Sequence, residues 1–398
     1  MPTMSLAQSR RQPLVGHFDS SHKRSGLSGL ENPNRMGAPC RGFLYRIQKY
    51  FRNPRLATIA RLCGQLMHTS MVHSREPVAC VSGLSVTYQS EGGQMVQALD
   101  DASLTVGRGK RLGILGESGS GKSTLAAAVM RLLPRHACVE NGSVQFRGQD
   151  ISGLPESELQ RIRGAEIALI SQDPAQALNP VITVGDQIAE VLRAHRKMTR
   201  RERRSRVEEL LGEVGFDRPT EIYGAYPHEL SGGQRQRIVI AQAVACRPLL
   251  VIADEPTSKL DASLQAEVLS LLQGLSERHE IAFVLISHDP VVLAGFADRI
   301  AVIYAGRVVE EGSTEEIFLS PLHPYTQALI RLAGRHLFSV SERTRLRAIE
   351  SEPPDMASVA TGCPFASRCP ERMQVCDEGY PRETTSQSSH RVSCFKYE

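Results

Sequence analysis

The sequence predicts an α/β fold built around a phosphate-binding loop. Residues 112–115 form a short apolar strand that leads into the glycine-rich loop at 116–123, and a helix-forming run follows. Residues 249–253 and 281–286 are apolar runs without alternation, as is typical of strands buried on both faces of a parallel sheet. Polar side chains follow both runs, at the end of the strand where α/β folds place their ligands.

The loop GESGSGKS at 116–123 has the strand, loop and helix context that a phosphate-binding motif requires. Its glycines let successive backbone N–H groups turn toward phosphates, and the helix N-terminus adds the positive end of its dipole. Lys122 would reach the β and γ phosphates, and the Ser123 hydroxyl would bind Mg²⁺. We expect nucleotide contacts from Gly116, Glu117, Ser118, Gly119, Ser120, Gly121, Lys122, Ser123 and Thr124.

Two carboxylates, Asp254 and Glu255, end the apolar run at 249–253. Asp254 is suited to holding Mg²⁺, and Glu255 to polarising the water that attacks the γ-phosphate. The structural alternative is that both side chains only cap the following turn.

The loop LSGGQ at 230–234 precedes a helical stretch, so its small residues form a second anion site at a helix N-terminus. Together with SQD, LLVIADEP, SKLD and ISHD in this order, the chain resembles the ATP-binding cassettes of ABC proteins, and Gln234 stands 20 residues before Asp254, as in that family. In the family this loop contacts ATP held by a second cassette. The resemblance therefore implies that Ser231, Gly233 and Gln234 complete a site in a dimer, with a copy of this chain or a sister subunit.

The resemblance also assigns roles to residues whose function the motifs alone do not indicate. It implies that Tyr88 stacks on adenine, that Gln172 senses Mg²⁺ and the membrane partner, and that His288 contacts the γ-phosphate. Asp261 matches the loop that links the two sites, whereas Lys259 departs from the small apolar residue usual before that Leu-Asp pair. No catalytic position is degenerate, which predicts an active ATPase with Glu255, His288, Gln172 and Lys122 as catalytic residues and Ser123, Gln172 and Asp254 at Mg²⁺.

Segments outside the shared motifs narrow the resemblance. Residues 172–180, 226–230, 264–267 and 323–326 and, most specifically, residues 362–370 resemble the ATP-binding subunits of oligopeptide, dipeptide and nickel importers. This implies an ATP-hydrolysing subunit that energises import of peptides or related small solutes with separate permease and binding-protein subunits. The alternatives are a nickel or glutathione importer ATPase, a soluble ABC ATPase acting on DNA or ribosomes, and a regulatory module that binds ATP without turnover.

Composition bears on partners and location. The chain is 41% hydrophobic and 23% charged, with a formal charge of +4, and no apolar run reaches the ~18 residues of a membrane span. The resemblance therefore implies two separate permease subunits, an extracytoplasmic solute-binding protein acting through them, and a peripheral position on the cytoplasmic face of the cell membrane. The basic run at 199–206 lacks interleaved aromatic residues, which favours a solvated helix face over a nucleic-acid site.

Four of the nine cysteines lie near the C-terminus, with five, six and seventeen intervening residues: Cys363, Cys369, Cys376 and Cys394. These spacings do not match the paired two-residue gaps of common zinc fingers, and no cue for an oxidising compartment favours disulfides. Clustered thiolates suit an iron–sulfur cluster, and the resembling importer subunits carry a four-iron cluster in this region. A 4Fe-4S cluster, zinc and unligated packing cysteines remain the three alternatives.

We expect three regions. Residues 1–74 form a basic, disordered extension that contains eleven Lys or Arg and only two acidic residues, Asp19 and Glu31. A start codon assigned too early, membrane-surface attachment and an organelle transit peptide are the alternatives for it. Residues 75–320 form the ABC domain, with an antiparallel β layer that the alternating pattern at 77–106 predicts and a helical subdomain at about 173–240. Residues 321–398 form the cysteine-containing C-terminal region of the oligopeptide-transporter type.

Overall fold

The computed structural model of the protein describes residues 76–90, 92–337, 362–386 and 389–398. The expectations for residues 1–74 lie outside this part of the chain. Two sheets and a group of helices organise the described residues, all of which belong to one compact unit.

Among the described residues, twelve strands form the two sheets. In chain order they are β1 Ala79–Gln89, β2 Met95–Val106, β3 Arg111–Leu115, β4 Ala137–Phe146, β5 Gln149–Asp150, β6 Ile167–Ile170, β7 Leu250–Asp254, β8 Ala282–Ser287, β9 Arg299–Tyr304, β10 Arg307–Ser313, β11 Glu383–Thr385 and β12 Arg391–Ser393. The smaller sheet has the order β2-β1-β4-β5, and the larger has the order β11-β12-β10-β9-β3-β8-β7-β6.

The smaller sheet is antiparallel, as the alternating pattern at 77–106 predicts. Strand β1 pairs with β2 from Ala79 opposite Val106 to Gln89 opposite Met95, around a turn at 90–94. Its buried residues pack on one side of the larger sheet in a single cluster with Ile114, Ile252 and Ile286. The two sheets therefore share a core.

The larger sheet is parallel across β6, β7, β8, β3 and β9, and it continues antiparallel through β10, β12 and β11. Strands β7 and β8 are buried along nearly their whole length, which explains their apolar runs without alternation. The C-terminal segment contributes β11 and β12, so it extends the larger sheet at one edge rather than standing apart from it.

In the part of the chain that the structure describes, eleven α-helices connect and cover the strands. They are α1 Lys122–Val129, α2 Glu156–Ile162, α3 Pro174–Ala177, α4 Val184–His195, α5 Arg200–Glu213, α6 Pro219–Tyr223, α7 Gly232–Val244, α8 Ala262–His279, α9 Pro290–Ala294, α10 Thr314–Leu319 and α11 Pro324–Leu337. None of these helices, which belong to the described ranges of the chain, is long and apolar enough to cross a bilayer.

The helical layer formed by α4, α5 and α7 follows from amphipathic spacing. Val184, Ile188 and Leu192 are buried on one face of α4, and the apolar residues of α5 are buried in the same cluster. Arg200, Arg201 and Arg204 lie on its solvated side, where Arg204 pairs with Glu208 at 3.1 Å. Arg206 pairs with Glu209 at 3.0 Å, but its side chain is only 14% exposed. The predicted α/β fold with an antiparallel β layer and a helical layer is confirmed.

Candidate nucleotide-binding site

The parallel strands bring the predicted site residues to one edge of the larger sheet. The glycine-rich loop follows β3, Gln172 follows β6, Asp254 ends β7 and His288 follows β8. These four strands are neighbours in the order β3-β8-β7-β6, so their carboxyl ends meet at the same edge.

Close backbone approaches explain the glycines of the loop. Gly121 has a φ of 101°, and a Cβ there would lie 2.3 Å from the carbonyl oxygen of Ala98. A Cβ on Gly116 would lie 2.4 Å from the carbonyl oxygen of Ile303. Only glycine fits both places without moving neighbouring backbone, so the loop can turn its N–H groups outward at the start of α1.

Lys122 is buried and folds back on its own loop. Its Nζ donates to the carbonyl oxygens of Gly116 at 2.9 Å and Glu117 at 2.6 Å. Burial lowers the pKa of Lys122, and the charges of Glu255, Asp254 and Glu117 oppose that shift. A cation held only by neutral oxygens can exchange them for phosphate oxygens at small cost.

Asp254 presents a carboxylate oxygen that the fold leaves unpaired. Its Oδ1 is buried and accepts no hydrogen bond, and burial raises the pKa of the carboxyl group. Ser123 is exposed, and the hydrogen bond of its side chain to this carboxylate opposes the rise in the pKa of Asp254. A hydroxyl beside an orphaned carboxylate oxygen is a donor set that fits Mg²⁺.

Gln172 and His288 both contact the carboxylate of Glu255. Gln172 Nε2 donates to Glu255 Oε2 at 3.2 Å, and His288 Nδ1 lies 2.8 Å from Glu255 Oε1. The Glu255 backbone has a φ of 45°, and its N–H bonds to the carbonyl oxygen of Ile286 at 3.1 Å. This left-handed conformation is costly for a residue with a side chain, so the bond to β8 holds the carboxylate where it is.

Tyr88 lies near the end of β1, beside the first turn of α1. Its hydroxyl donates to Thr124 Oγ1 at 3.3 Å, and its half-buried ring lies 5.6 Å from the ring of His136. The contact brings the residue matched to adenine stacking next to the phosphate loop.

The LSGGQ loop caps α7 rather than joining the phosphate loop. Ser231 and Gln234 form a reciprocal capping box, with N···O distances of 2.9 and 3.2 Å, and Gly233 packs on Leu264. Among the described residues, no hydrogen bond joins this loop to residues 116–124 or to Glu255. Ser231 and Gly232 are exposed.

Asp261 and Lys259 occupy the turn after Glu255. The Asp261 carboxylate caps α8 by accepting hydrogen bonds from the backbone of Ser263 and Leu264, both at 3.0 Å. Lys259 Nζ lies 2.5 Å from Oδ2 of Asp173, the residue after Gln172. This hydrogen bond lowers the pKa of Asp173. The lysine that departs from the family pattern therefore joins two loops of the site.

The four C-terminal cysteines line one cavity, together with the side chains of His323 and Phe365. Burial raises the pKa of Cys363 to about 11 and also raises the pKa of Cys369 and of Cys394. In the segments that the structure describes, no three His, Cys, Asp or Glu side chains are arranged to hold a metal ion. The fold thus brings the thiols together without the geometry of a bound cluster.

Two residues that touch the phosphate loop were not identified from the sequence. Tyr325 accepts a hydrogen bond from the Glu117 backbone, and Arg368 bonds to the Glu117 carboxylate. Both lie in segments that carry the importer resemblance, HPYT at 323–326 and GCPFASRCP at 362–370, but nothing in those patterns indicates a contact with residue 117.

Family comparisons agree with this geometry. The model "ABC transporter" matches residues 99–258, and "Oligopeptide/dipeptide transporter, C-terminal region" matches residues 309–376. With the fold and the site, these matches define an ATPase of the ATP-binding cassette class. The dipeptide transport ATP-binding protein DppD of Bacillus subtilis is 44% identical over 80% of this chain and 95% of its own length. The oligopeptide transport ATP-binding protein OppD of Salmonella typhimurium is 41% identical over 79% and 92%. This chain belongs to that family of peptide-transport ATP-binding proteins.

A solved structure has the same cassette fold. The ATP-binding cassette MJ0796, in a dimeric post-hydrolysis state bound to ADP and phosphate, aligns with a TM-score of 0.53 and 29% identity. The alignment covers 59% of this chain and 98% of the other.

Proposed function

We propose that this chain is the ATP-hydrolysing subunit that powers import of peptides across the cytoplasmic membrane. The observation that carries the proposal is the position of the Glu255 carboxylate. Gln172 and His288 hold it at the carboxyl ends of the parallel strands, where the phosphate loop also lies. The peptide cargo is supported by the names of the relatives and by the match at residues 309–376.

The site residues divide the chemistry of hydrolysis among them. Glu255 orients the attacking water and draws on its proton, because its carboxylate is fixed by two neighbours at a strand end. His288 contacts the γ-phosphate, and Lys122 turns from its own loop to the β and γ phosphates. Mg²⁺ held by Ser123, Asp254 and Gln172 would neutralise charge that develops on the phosphates. Tyr88 stacks on adenine.

The chain works as one of two cassettes. The exposed Ser231 and the half-buried Gln234 are bonded to each other and not to the phosphate loop of the same chain, which suits a loop that serves the other cassette. The MJ0796 cassette is dimeric in its nucleotide-bound structure. The second cassette, a copy or a sister subunit, and two permease subunits complete the transporter, which receives cargo from an extracytoplasmic binding protein. The assembly places this chain on the cytoplasmic face of the membrane.

The domain limits belong to the same proposal. Residues 75–320 act as the cassette, residues at about 173–240 dock on the permease, and residues 321–398 form the C-terminal region.

The cysteine cavity is the proposed site of a 4Fe-4S cluster held by Cys363, Cys369, Cys376 and Cys394. The residue types support a cluster, because four cysteines line one cavity and thiolates are the usual ligands of such clusters, but the described side chains are not arranged around a metal ion. Bound there, a cluster would cross-link β12 to the segment at 362–376. Assays for iron, zinc and acid-labile sulfide after anaerobic purification distinguish the cluster from zinc, and absence of all three would leave the thiols as packing residues.

Affinity purification from detergent-solubilised membranes, with mass spectrometry of every co-purifying chain, tests the transport function. We expect two multi-spanning subunits, with or without a sister cassette. Their recovery allows the complex to be reconstituted and its ATPase activity measured with and without a peptide-loaded binding protein. Recovery of ribosomal or DNA-bound partners alone would overturn the importer assignment.

A further inference from the structure

Glu117 of the phosphate loop is held by the C-terminal part of the chain. Its backbone N–H donates to the Tyr325 hydroxyl at 2.9 Å. Its carboxylate accepts two hydrogen bonds from Arg368, Nη1 to Oε2 at 2.8 Å and Nη2 to Oε1 at 3.1 Å. Tyr325 and Arg368 both lie beyond residues 99–258, which match the ABC transporter model. The C-terminal region therefore reaches into the ATP site.

The Arg368 side of the pair is shielded from water, whereas the Glu117 side chain is 24% exposed. The Arg368 side chain is 3% exposed, and its Nη1 also bonds to the Tyr304 hydroxyl at 3.2 Å. Phe365 covers the contact, with its ring centroid 5.2 Å from that of Tyr304 and 5.5 Å from that of Tyr325. A two-point bond between a guanidinium and a carboxylate fixes the orientation of both groups and is stronger than a neutral hydrogen bond.

The segment that carries Arg368 is tied to the cysteine cavity. The Cys363 N–H donates to the carbonyl oxygen of Cys376 at 2.8 Å, and Arg368 ends the short helix Ala366–Arg368, directly before Cys369. Cys363 and Cys369 pack against the main core cluster. Movement of this segment would therefore move the guanidinium.

A carboxylate in a phosphate loop weakens nucleotide binding, because its negative charge repels the negatively charged triphosphate. We propose that Arg368 is a positioning residue for nucleotide binding: it neutralises Glu117 and turns the carboxylate away from the phosphates. The cysteine-bearing region is thereby a component of the ATP site. The inference rests on the proposed ATP binding and extends it to a residue outside the cassette motifs.

The test is a double-mutant cycle on the full chain, with MgATP affinity measured by calorimetry. We expect Arg368→Met to weaken MgATP binding by about tenfold, within the usual range for coupling between groups. In steady-state hydrolysis KM should rise while kcat per folded molecule changes little, because the groups around Glu255 are untouched. Adding Glu117→Gln to the Arg368→Met chain should recover most of the lost affinity, since it removes the uncompensated charge.

Arg372→Met is the matched control. Arg372 lies in the same region and pairs with Asp377 at 2.7 Å, but its side chain is 51% exposed. We expect it to leave MgATP affinity unchanged. Arg368→Lys keeps the charge without the two-point geometry and should give a loss of about threefold, and it replaces Arg368→Met if that variant does not fold.

Each outcome separates the inference from the function on which it rests. If the wild-type chain does not bind MgATP, the proposed function fails. Where the wild type binds and folded Arg368→Met binds equally well, the inference alone is overturned. If affinity is lost but Glu117→Gln does not restore it, Arg368 supports the fold without neutralising the loop, which also overturns the inference.

Discussion

Two polar networks of the protein differ in exposure. At the candidate nucleotide site, Gln172, Glu255 and His288 form a network in which the His288 side chain is 58% exposed. In the C-terminal region, Glu310 is fully buried and accepts hydrogen bonds from the backbone of Leu322 and His323, and its carboxylate lies 2.7 Å from Nε2 of His390.

This difference separates the tasks of the two networks. Groups that water can reach can exchange their partners for a substrate, so the first network suits chemistry. Groups that water cannot reach must keep their partners, because a buried unpaired charge is strongly destabilising. The second network joins β10, β12 and the start of α11, so it anchors the C-terminal region. Substitutions in the first should therefore change turnover, and those in the second should change stability.

We expect the largest effect from the substitution Glu255→Gln, which should slow ATP turnover. The amide keeps the size of the side chain and can still accept or donate hydrogen bonds, but it cannot draw a proton from water. We expect hydrolysis to fall by about 10²- to 10³-fold while ATP still binds and the melting temperature stays near that of the wild type. Phosphate release and calorimetric ATP binding measure the two parts.

Glu277→Gln is the control for that substitution. Glu277 lies on α8, its side chain is 70% exposed, and it faces Arg111 at 3.7 Å, away from the sheet edge. Its hydrolysis rate should match that of the wild type. Undiminished hydrolysis in Glu255→Gln would contradict the role of Glu255, and a large drop in its melting temperature would contradict the division between the two networks.

The second prediction concerns pH and the buried network. Burial lowers the pKa of His323 to about 4, and its Nδ1 accepts a hydrogen bond from the Tyr325 N–H at 3.1 Å. The folded chain keeps this imidazole neutral, whereas the unfolded chain protonates it near pH 6.5. The resulting stability is fully present above pH 6.5 and is lost as the pH falls toward 4. Between pH 7 and pH 5 the loss is about 2 kcal/mol.

Urea unfolding followed by circular dichroism at pH 7, 6 and 5 measures this loss. Glu310 faces His323 directly and His390 reaches it through Glu310, so the wild type alone does not isolate His323. His323→Asn keeps an acceptor for the Tyr325 N–H but does not titrate, and its stability should depend less steeply on pH. Equal slopes for the two chains would rule out His323 as the titrating group.

The same contrast explains which contacts could be predicted from the sequence and which could not. The exposed network consists of motif residues, each placed at a strand end by an apolar run, and parallel strands bring such ends together without further information. The contact between Glu117 and Arg368 joins residues 251 positions apart. It depends on Phe365 packing against Tyr304 and Tyr325, and the three-residue helix that carries Arg368 has no periodic signal long enough to predict where it packs.

The smallest expected effect tests whether exposure alone makes a contact dispensable. Lys259 is 58% exposed and its partner Asp173 is 24% exposed, so water and salt screen the pair, and removing it should leave the melting temperature within about 2 °C of the wild type. Yet the pair joins the loop after Gln172 to the turn after Glu255. We therefore expect Lys259→Met to lower hydrolysis by about two- to fivefold, and less at high salt.

A double-mutant cycle distinguishes a loop contact from two independent side chains. Asp173 also caps α3 by accepting a hydrogen bond from the Ala175 N–H at 2.9 Å, and Asp173→Asn retains that acceptor while losing the charge. If the pair acts as a unit, the double variant should hydrolyse ATP no more slowly than the slower single variant. If the two losses multiply instead, Lys259 does not act through Asp173. The exposed side of the site would then depend on Gln172, Glu255 and His288 without a second link between their loops.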